Sequence, residues 1–342
     1  MNKIVLCLCG VLLAAGCMAA AAGAHISVVA DRAGTDSLYL FSYFTNRDAN
    51  SRGMHYAWSR DGYEWYAIGG EEPLGFLAPA PASDAPRLRD PFVLQGRNGV
   101  WHCVWTTGWE TPHIGYASSE DLIHWSEPRF LRLMEEGGYE ARNCWAPEIV
   151  YDEERDNYLV FWASTIKVDG EWRTEEGKKY DNRMYCSATR DFTTFTPARL
   201  FFDPGHNVID ATVRRIGDTC YMIYKDEREL PEPHKFLLVA VSSSAAGPYE
   251  PLTGEPFTPA WVEGPSFIHL ADGSYICYMD NYRSHRYTAM VTRDFIHWQP
   301  APRRLSMPSG AAHGAVQRVP ADAVAALLQY AVSVERENNK TK

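Results

Sequence analysis

The chain has 342 residues, 46% of them hydrophobic and 22% charged, with a formal net charge of −10. That balance suits one large globular domain or two small ones and excludes a disordered, collagen-like or coiled-coil chain. Net acidity with no long basic run argues against a binder of phosphate backbones, so nucleic acid is not an expected partner.

Residues 1–24 read as an export signal. Lys3 gives the positive start, Ile4 to Leu13 the apolar stretch, and small residues run from Ala14 to Ala24. The stretch is too short for a stable membrane anchor. Leu13-Ala14-Ala15-Gly16-Cys17 is similar to a bacterial lipobox, with the Leu four residues before the Cys instead of three. Two alternatives stay open: a lipid anchor at Cys17, or plain secretion. Either way the chain is expected to be exported, as a periplasmic, outer-membrane or secreted protein. Three of the eight Cys lie in the leader, and the remaining five cannot form a complete disulfide framework. Cys103, Cys220 and Cys277 sit in strand-like runs that predict burial, and no Cys pair has metal-ligand spacing.

Aromatic residues make up 13% of the chain, a content that suits strands and sugar binding, where flat rings cover the apolar faces of the sugar. One motif recurs: a short strand ending in a small polar residue, then Asp, then an aromatic four residues later. It appears at Tyr56 to Asp61 with Trp65, Tyr116 to Asp121 with Trp125, Ser187 to Asp191 with Phe195, and Met290 to Asp294 with Trp298. A degenerate copy, Val239 to Ser244, ends in Gly247-Pro248-Tyr249. Before each copy stands an aromatic-rich strand: Leu38 to Phe44, Val100 to Thr106, Tyr158 to Ala163, Cys220 to Lys225 and Tyr275 to Asp280. Four of these follow another strand, holding Asp90-Pro91, Ala146-Pro147-Glu148, Asp210-Ala211 and Glu263-Gly264-Pro265; a fifth strand of that kind, Ala312 to Val316, has only a tail after it.

Markers at 90, 148, 210, 263 and 313 lie 50 to 62 residues apart, the spacing of four-stranded blades. The sequence therefore predicts an all-β, five-bladed β-propeller. Its last blade combines residues 38–65 with 312–318, so that strands from both termini close the ring and remove free edges. Val324, Leu327, Leu328 and Ala331 at helical spacing predict a short helix over 321–332. No linker-like composition separates the units, so residues 25–342 form one domain.

The first strand of each blade lines the channel, so the markers are expected at equivalent positions facing a common point. Three converging carboxylates, Asp90, Asp210 and Glu263, are costly to bury without partners, which favours a functional reading. Taken singly, Asp90 could pair with Arg87 or Arg89, Asp210 could bind backbone amides, and Glu263 could be an edge residue.

The ordered series Asp90-Pro91, Trp145-Ala146-Pro147, Ile209-Asp210, Glu263-Gly264-Pro265 and His313-Gly314 resembles family 43 glycoside hydrolases. It covers nearly the whole mature chain and departs at Ala211, where Pro is usual, and in having its closing strands ahead of the Asp90 blade. The resemblance implies an inverting glycosidase acting on plant-type polysaccharide, at α-L-arabinofuranosyl or β-D-xylosyl linkages. Asp90 would be the general base and Glu263 the general acid, while Asp210 positions Glu263 and keeps it protonated.

Trp109, Trp145, Arg286 and His313 are candidate sugar-binding residues, each weighed against plain packing or surface pairing. Glu148 reads as a hydrogen-bonded scaffold residue. No cofactor is required, although a Ca²⁺ held near His313 through water is a further expectation. The expected partner is a carbohydrate, and the chain is expected to act as a monomer. Three alternatives remain: a related five-bladed enzyme acting on fructosides or galactan-type sugars, a sugar-binding propeller without chemistry, and a protein-interaction propeller. The first lacks the upstream Asp-Pro that fructosidases need, since residues 25–70 contain none.

Overall fold

The computed structural model describes residues 37–45, 53–79, 87–175 and 177–340. The leader and Cys17 therefore lie outside the described residues. Four blades follow in chain order. Blade 1 is β4 (Arg89–Gln95), β5 (Trp101–Thr106), β6 (Ile114–Ser119) and β7 (Arg129–Leu131). Blade 2 is β8 (Trp145–Asp152), β9 (Asn157–Ser164), β12 (Arg183–Thr189) and β13 (Arg199–Phe202), with a small hairpin of β10 (Lys167–Val168) and β11 (Glu171–Trp172) inserted. Blade 3 is β14 (Val208–Ile216), β15 (Thr219–Asp226), β16 (Phe236–Ser242) and β17 (Glu250–Pro251), and blade 4 is β18 (Glu263–His269), β19 (Tyr275–Asn281), β20 (Arg286–Thr292) and β21 (Trp298–Pro300).

Blade 5 closes the ring as the sequence predicts. Its order is β22 (Ala311–Pro320), β1 (Ser37–Thr45), β2 (His55–Ser59) and β3 (Tyr66–Ala67), with β22 antiparallel to β1 from Ser37↔Pro320 to Thr45↔Ala311. The five inner strands touch one another in cyclic order, β22 to β4, β8, β14, β18 and back to β22. The core is divided among the seams. Trp58 and Leu40 pack with Trp105 and Val93 between blades 5 and 1, Val104 and Phe92 with Trp162 between 1 and 2, and Phe161 with Met222 between 2 and 3. Ile223 packs with Phe267 between blades 3 and 4, and Tyr278 with Phe41 between 4 and 5.

The recurring Asp motif forms the turn after the third strand. The hydroxyls of Ser59, Ser119, Thr189 and Thr292 each accept two backbone N–H bonds, and Asp61, Asp121, Asp191 and Asp294 accept two more. These bonds hold the residue after the Asp in the left-handed region: Gly62 (φ 78°), Leu122 (66°), Phe192 (54°) and Phe295 (62°). Left-handed backbone costs a non-glycine residue about 1–3 kcal/mol, which the four converging bonds offset. Trp65, Trp125 and Trp298 then donate their indole N–H to the carbonyl of that residue, whereas Phe195, at the same place in blade 2, has no N–H to donate. The degenerate copy in blade 3 has no Asp; there Ser242 accepts from Ser244 N–H alone. The C-terminal helix, α2 after the single-turn α1 (Leu133–Glu136), runs over Ala321–Lys340, longer than its apolar spacing predicts. Val324, Leu327 and Leu328 bury against the seam of blades 5 and 1.

Candidate active site

Each inner strand of blades 1 to 4 opens with a β-bulge. Pairing with the second strand slips between Arg89 and Phe92, Trp145 and Glu148, Ile209 and Thr212, and Glu263 and Ser266. The bulged residue is left-handed each time: Asp90 (φ 52°), Ala146 (44°), Asp210 (54°) and Gly264 (58°). Bulges of this kind re-aim side chains and recur beside active sites. In blade 5, His313 is the extra residue, opposite the step from Tyr43 to Phe44.

This register corrects the expectation that the markers are equivalent. Asp90 and Asp210 are equivalent to each other and to Ala146 and Gly264. Glu263 stands one residue earlier, in the place of Arg89, Trp145 and Ile209, and Glu148 two residues later, in the place of Phe92, Thr212 and Ser266. Since strand side chains alternate faces, a difference of one residue gives Glu263 an approach distinct from that of the two aspartates.

Asp90 accepts the Thr106 hydroxyl at 2.6 Å through Oδ2, and its Oδ1 lies 3.4 Å from Nδ1 of His313. Thr106 in turn accepts the backbone N–H of Ala146 at 2.8 Å, tying blade 1 to blade 2. Nδ1 of His313 also stands 3.7 Å from Oδ2 of Asp210, which accepts the backbone N–H of Gly264 at 3.1 Å. Contacts therefore run unbroken from Asp90 through His313 and Asp210 to the residue beside Glu263. Gly264 is required there: a Cβ would fall 2.5 Å from the His313 ring. Glu263 points to Lys225, whose Nζ is 3.1 Å from Oε2.

Burial raises the Asp210 carboxyl to about 6, with His313 and Lys225 opposing the rise and Glu263 and Asp90 adding to it. Burial works against the charged form of His313, but Asp210, Asp90 and Glu263 outweigh it and raise the imidazole above its ordinary range. Glu148 is buried, which lifts it to about 7 against the pull of the Arg214 guanidinium 3.8 Å away. The Thr212 side chain and His313 also favour its charged form, while Asp210 opposes it. Asp280, directly across the ladder from Glu263, is pushed by burial and then by Glu263 to about 7.

Trp109 is 49% exposed on the loop after β5 and meets Trp145 edge-on at 6.1 Å between centroids. The Trp145 indole donates to the Trp109 carbonyl, and Tyr180 packs on Trp145 at 4.5 Å, making an aromatic wall of three rings. Arg286 opens β20 exposed to solvent, and among the described residues no hydrogen bond or ion pair joins it to Asp90, Asp210, Glu263 or His313. Among the described residues no group of three or more His, Cys, Asp or Glu is arranged to hold a metal. Nδ1 of His313 faces two carboxylates, and no step below uses a metal.

Thr106, Lys225, Asp280 and Tyr180 are site residues that sequence reasoning did not single out. The first three had a signal. With Ala163 they end the aromatic second strand of successive blades, at one register position: Arg89↔Thr106, Trp145↔Ala163, Ile209↔Lys225, Glu263↔Asp280.

Among curated proteins, an alpha-L-arabinofuranosidase of Bifidobacterium longum subsp. longum is 28% identical over 169 residues, 43% of this chain and 16% of that protein. The match thus spans less than a fifth of the relative's length. An endo-1,4-beta-xylanase structure from Bacteroides thetaiotaomicron aligns with a TM-score of 0.55 at 13% identity, covering 80% of this chain and 92% of that one. The Cellvibrio cellulosa alpha-L-arabinanase complexed with arabinohexaose aligns with a TM-score of 0.52 at 14% identity, covering 78% and 91%. At these identities the two structures establish a shared fold. A family model related to glycosyl hydrolase family 43, described as "Probable glycosyl hydrolase domain", matches residues 36–324, a span holding all five blades and each bulge described above. The chain belongs to this family-43-related family of glycosyl hydrolase domains.

Proposed function

We propose that the protein is an exported, inverting glycosidase that cleaves α-L-arabinofuranosyl or β-D-xylosyl linkages of plant-type polysaccharide. The observation that carries the reading is the unbroken contact path Asp90–His313–Asp210–Gly264, which gathers acidic groups from three blades beside one histidine. The arabinofuranosidase relative supports the sugar class, and the leader supports export. The five described cysteines are free and buried, and so poorly reactive in an oxidising compartment.

In this reading Asp90 takes a proton from the attacking water. Its Oδ2 accepts from Thr106, and Oδ1, which faces His313 Nδ1 at 3.4 Å, would take that proton on its other lone pair. Glu263 gives a proton to the glycosidic oxygen as the bond from the anomeric carbon breaks, and attack from the opposite face inverts the configuration. The two carboxyl groups need a separation of about 6.5–9.5 Å to admit the water. Asp210 fixes the backbone beside Glu263 by accepting the Gly264 N–H. Trp109 and Trp145 would cover a sugar face.

The test is hydrolysis of 4-nitrophenyl α-L-arabinofuranoside, β-D-xyloside and β-D-galactofuranoside, with sucrose as the fructoside, by the mature chain. Release from either of the first two, above an Asp90→Asn background and with the inverted anomer formed first by proton NMR, is expected. Release from the last two alone would move the substrate class, and no release from any would overturn the reading.

A further inference from the structure

We propose that Lys225 is the positioning residue of Glu263, and that Glu227 is the second counter-ion that lets Lys225 release it. The inference rests on Glu263 being the proton donor. Lys225 is 2% exposed, and its Nζ lies 3.1 Å from Oε2 of Glu263 and 2.8 Å from Oε2 of Glu227. The alternation of charge continues outward. Nζ of Lys235 is 2.6 Å from Glu227 and 2.9 Å from Glu229, and Lys178, 40% exposed, is 3.0 Å from Glu229. Six charges of alternating sign thus lead from the channel to solvent.

A proton donor paired with a lysine faces a conflict. The ion pair favours the carboxylate, while the reaction needs the acid. Were Glu263 the sole partner, protonating it would strand a buried ammonium, a strongly unfavourable state. Glu227 removes that obstacle. Glu263 can take a proton from solvent and turn to the leaving oxygen while Lys225 stays paired with Glu227. After the proton has passed to the leaving group, the carboxylate returns to Lys225. The equivalent positions in blades 1, 2 and 4 hold Thr106, Ala163 and Asp280, so among these four blades only blade 3 places a cation there, and it reaches Glu263 across the blade boundary.

The other charged or titratable groups around Glu263 are Asp210 on β14, Asp280, Tyr282 and Tyr287 on or beside β19 and β20, His313 on β22 and Asp90 on β4. All remain in place when Lys225 or Glu227 is changed. The two substitutions therefore carry opposite expectations. Lys225→Met removes the cation that favours the carboxylate, whereas Glu227→Gln leaves that cation with Glu263 as its near partner.

The test is a carboxyl ¹³C NMR titration of the glutamate-labelled mature chain, with the Glu263 signal identified by its loss in Glu263→Gln. Lys225→Met should raise the Glu263 midpoint by about one unit or more, Glu227→Gln should lower it, and Lys225→Arg should leave it near wild type. Should Lys225→Met fail to fold, Glu227→Gln and Lys225→Arg still decide the matter. The alkaline limb of arabinofuranoside hydrolysis should move in the same two directions. Midpoints that stay put, or that move together, overturn the inference. Because the titration needs no turnover, lack of hydrolysis would sink the proposed function alone, and unmoved midpoints with normal hydrolysis would sink this inference alone.

Discussion

The backbone N–H of Gly264 donates to Oδ2 of Asp210 across a blade boundary, at 3.1 Å. One carboxylate thereby fixes the main chain next to Glu263 and adds negative charge to its surroundings. Asp210→Asn keeps the shape but removes the charge. It should slow hydrolysis by about 10-fold to 100-fold and move the alkaline limb of the pH–rate profile downward, since the protonated acid loses a negative neighbour. A limb that stays in place would assign Asp210 to backbone positioning alone.

Glu263 and Asp90 should separate by leaving group. Glu263→Gln is expected to cripple arabino-oligosaccharide cleavage while sparing most activity on a dinitrophenyl glycoside, whose leaving group departs without a proton. Asp90→Asn should abolish both, because water needs activation in each case. Equal losses on both substrates in Glu263→Gln would remove Glu263 from the acid role, with Glu148 the next carboxyl to examine.

Gly264→Ala tests how closely the bulge packs on His313. The added Cβ would fall 2.5 Å from the imidazole ring, on a backbone already left-handed, so His313 must shift. Misplacement on the scale of 1 Å can cost about 100-fold in rate. A loss of that order in kcat, with the fold intact by circular dichroism, is the expected result.

Stability should fall as pH rises through neutrality. Asp210 at about 6, and Glu148 and Asp280 at about 7, bind protons more tightly when folded than when unfolded. Their contribution is full below the unfolded carboxyl value of about 4 and is lost as pH rises through 6 to 7. His313, also raised, adds the same sign. The turn residues Asp191 and Asp294, held low by hydrogen bonds, act only in the acid range below this window. Thermal melts at pH 5, 6, 7 and 8 should show a declining Tm, and Glu148→Gln should flatten the decline.

The blade count and ring closure were legible because their signals are local and repeated. Asp61, Asp121, Asp191 and Asp294 mark one turn chemistry, and a first strand without an inner partner implies a last strand that supplies it. The site was legible as a set of residues but not as a register. Spacing alone put Glu148 and Glu263 level with Asp90, because the strands were aligned on their acidic residues; the bulge falls at the same place in all four, and Pro91, Pro147 and Pro265, each just after it, mark the true register. Lys225 escaped notice for a related reason. A lysine at a strand end ordinarily reads as a solvated terminus, and only the register opposite Ile209 places it beside Glu263.

The pairing of β22 with β1 also governs the order in which the molecule can be assembled. Ser37 bonds Arg318, 281 positions away in sequence. Four blades can form from neighbouring strands as the chain emerges, but β1 must wait for nearly all of it. Contacts of such separation carry a large loop-closure entropy and slow the final step of folding. Until then the apolar edge of β1 lies open to other chains. A chain cut short before residue 311 would therefore be expected to aggregate, rather than survive as a four-bladed fragment.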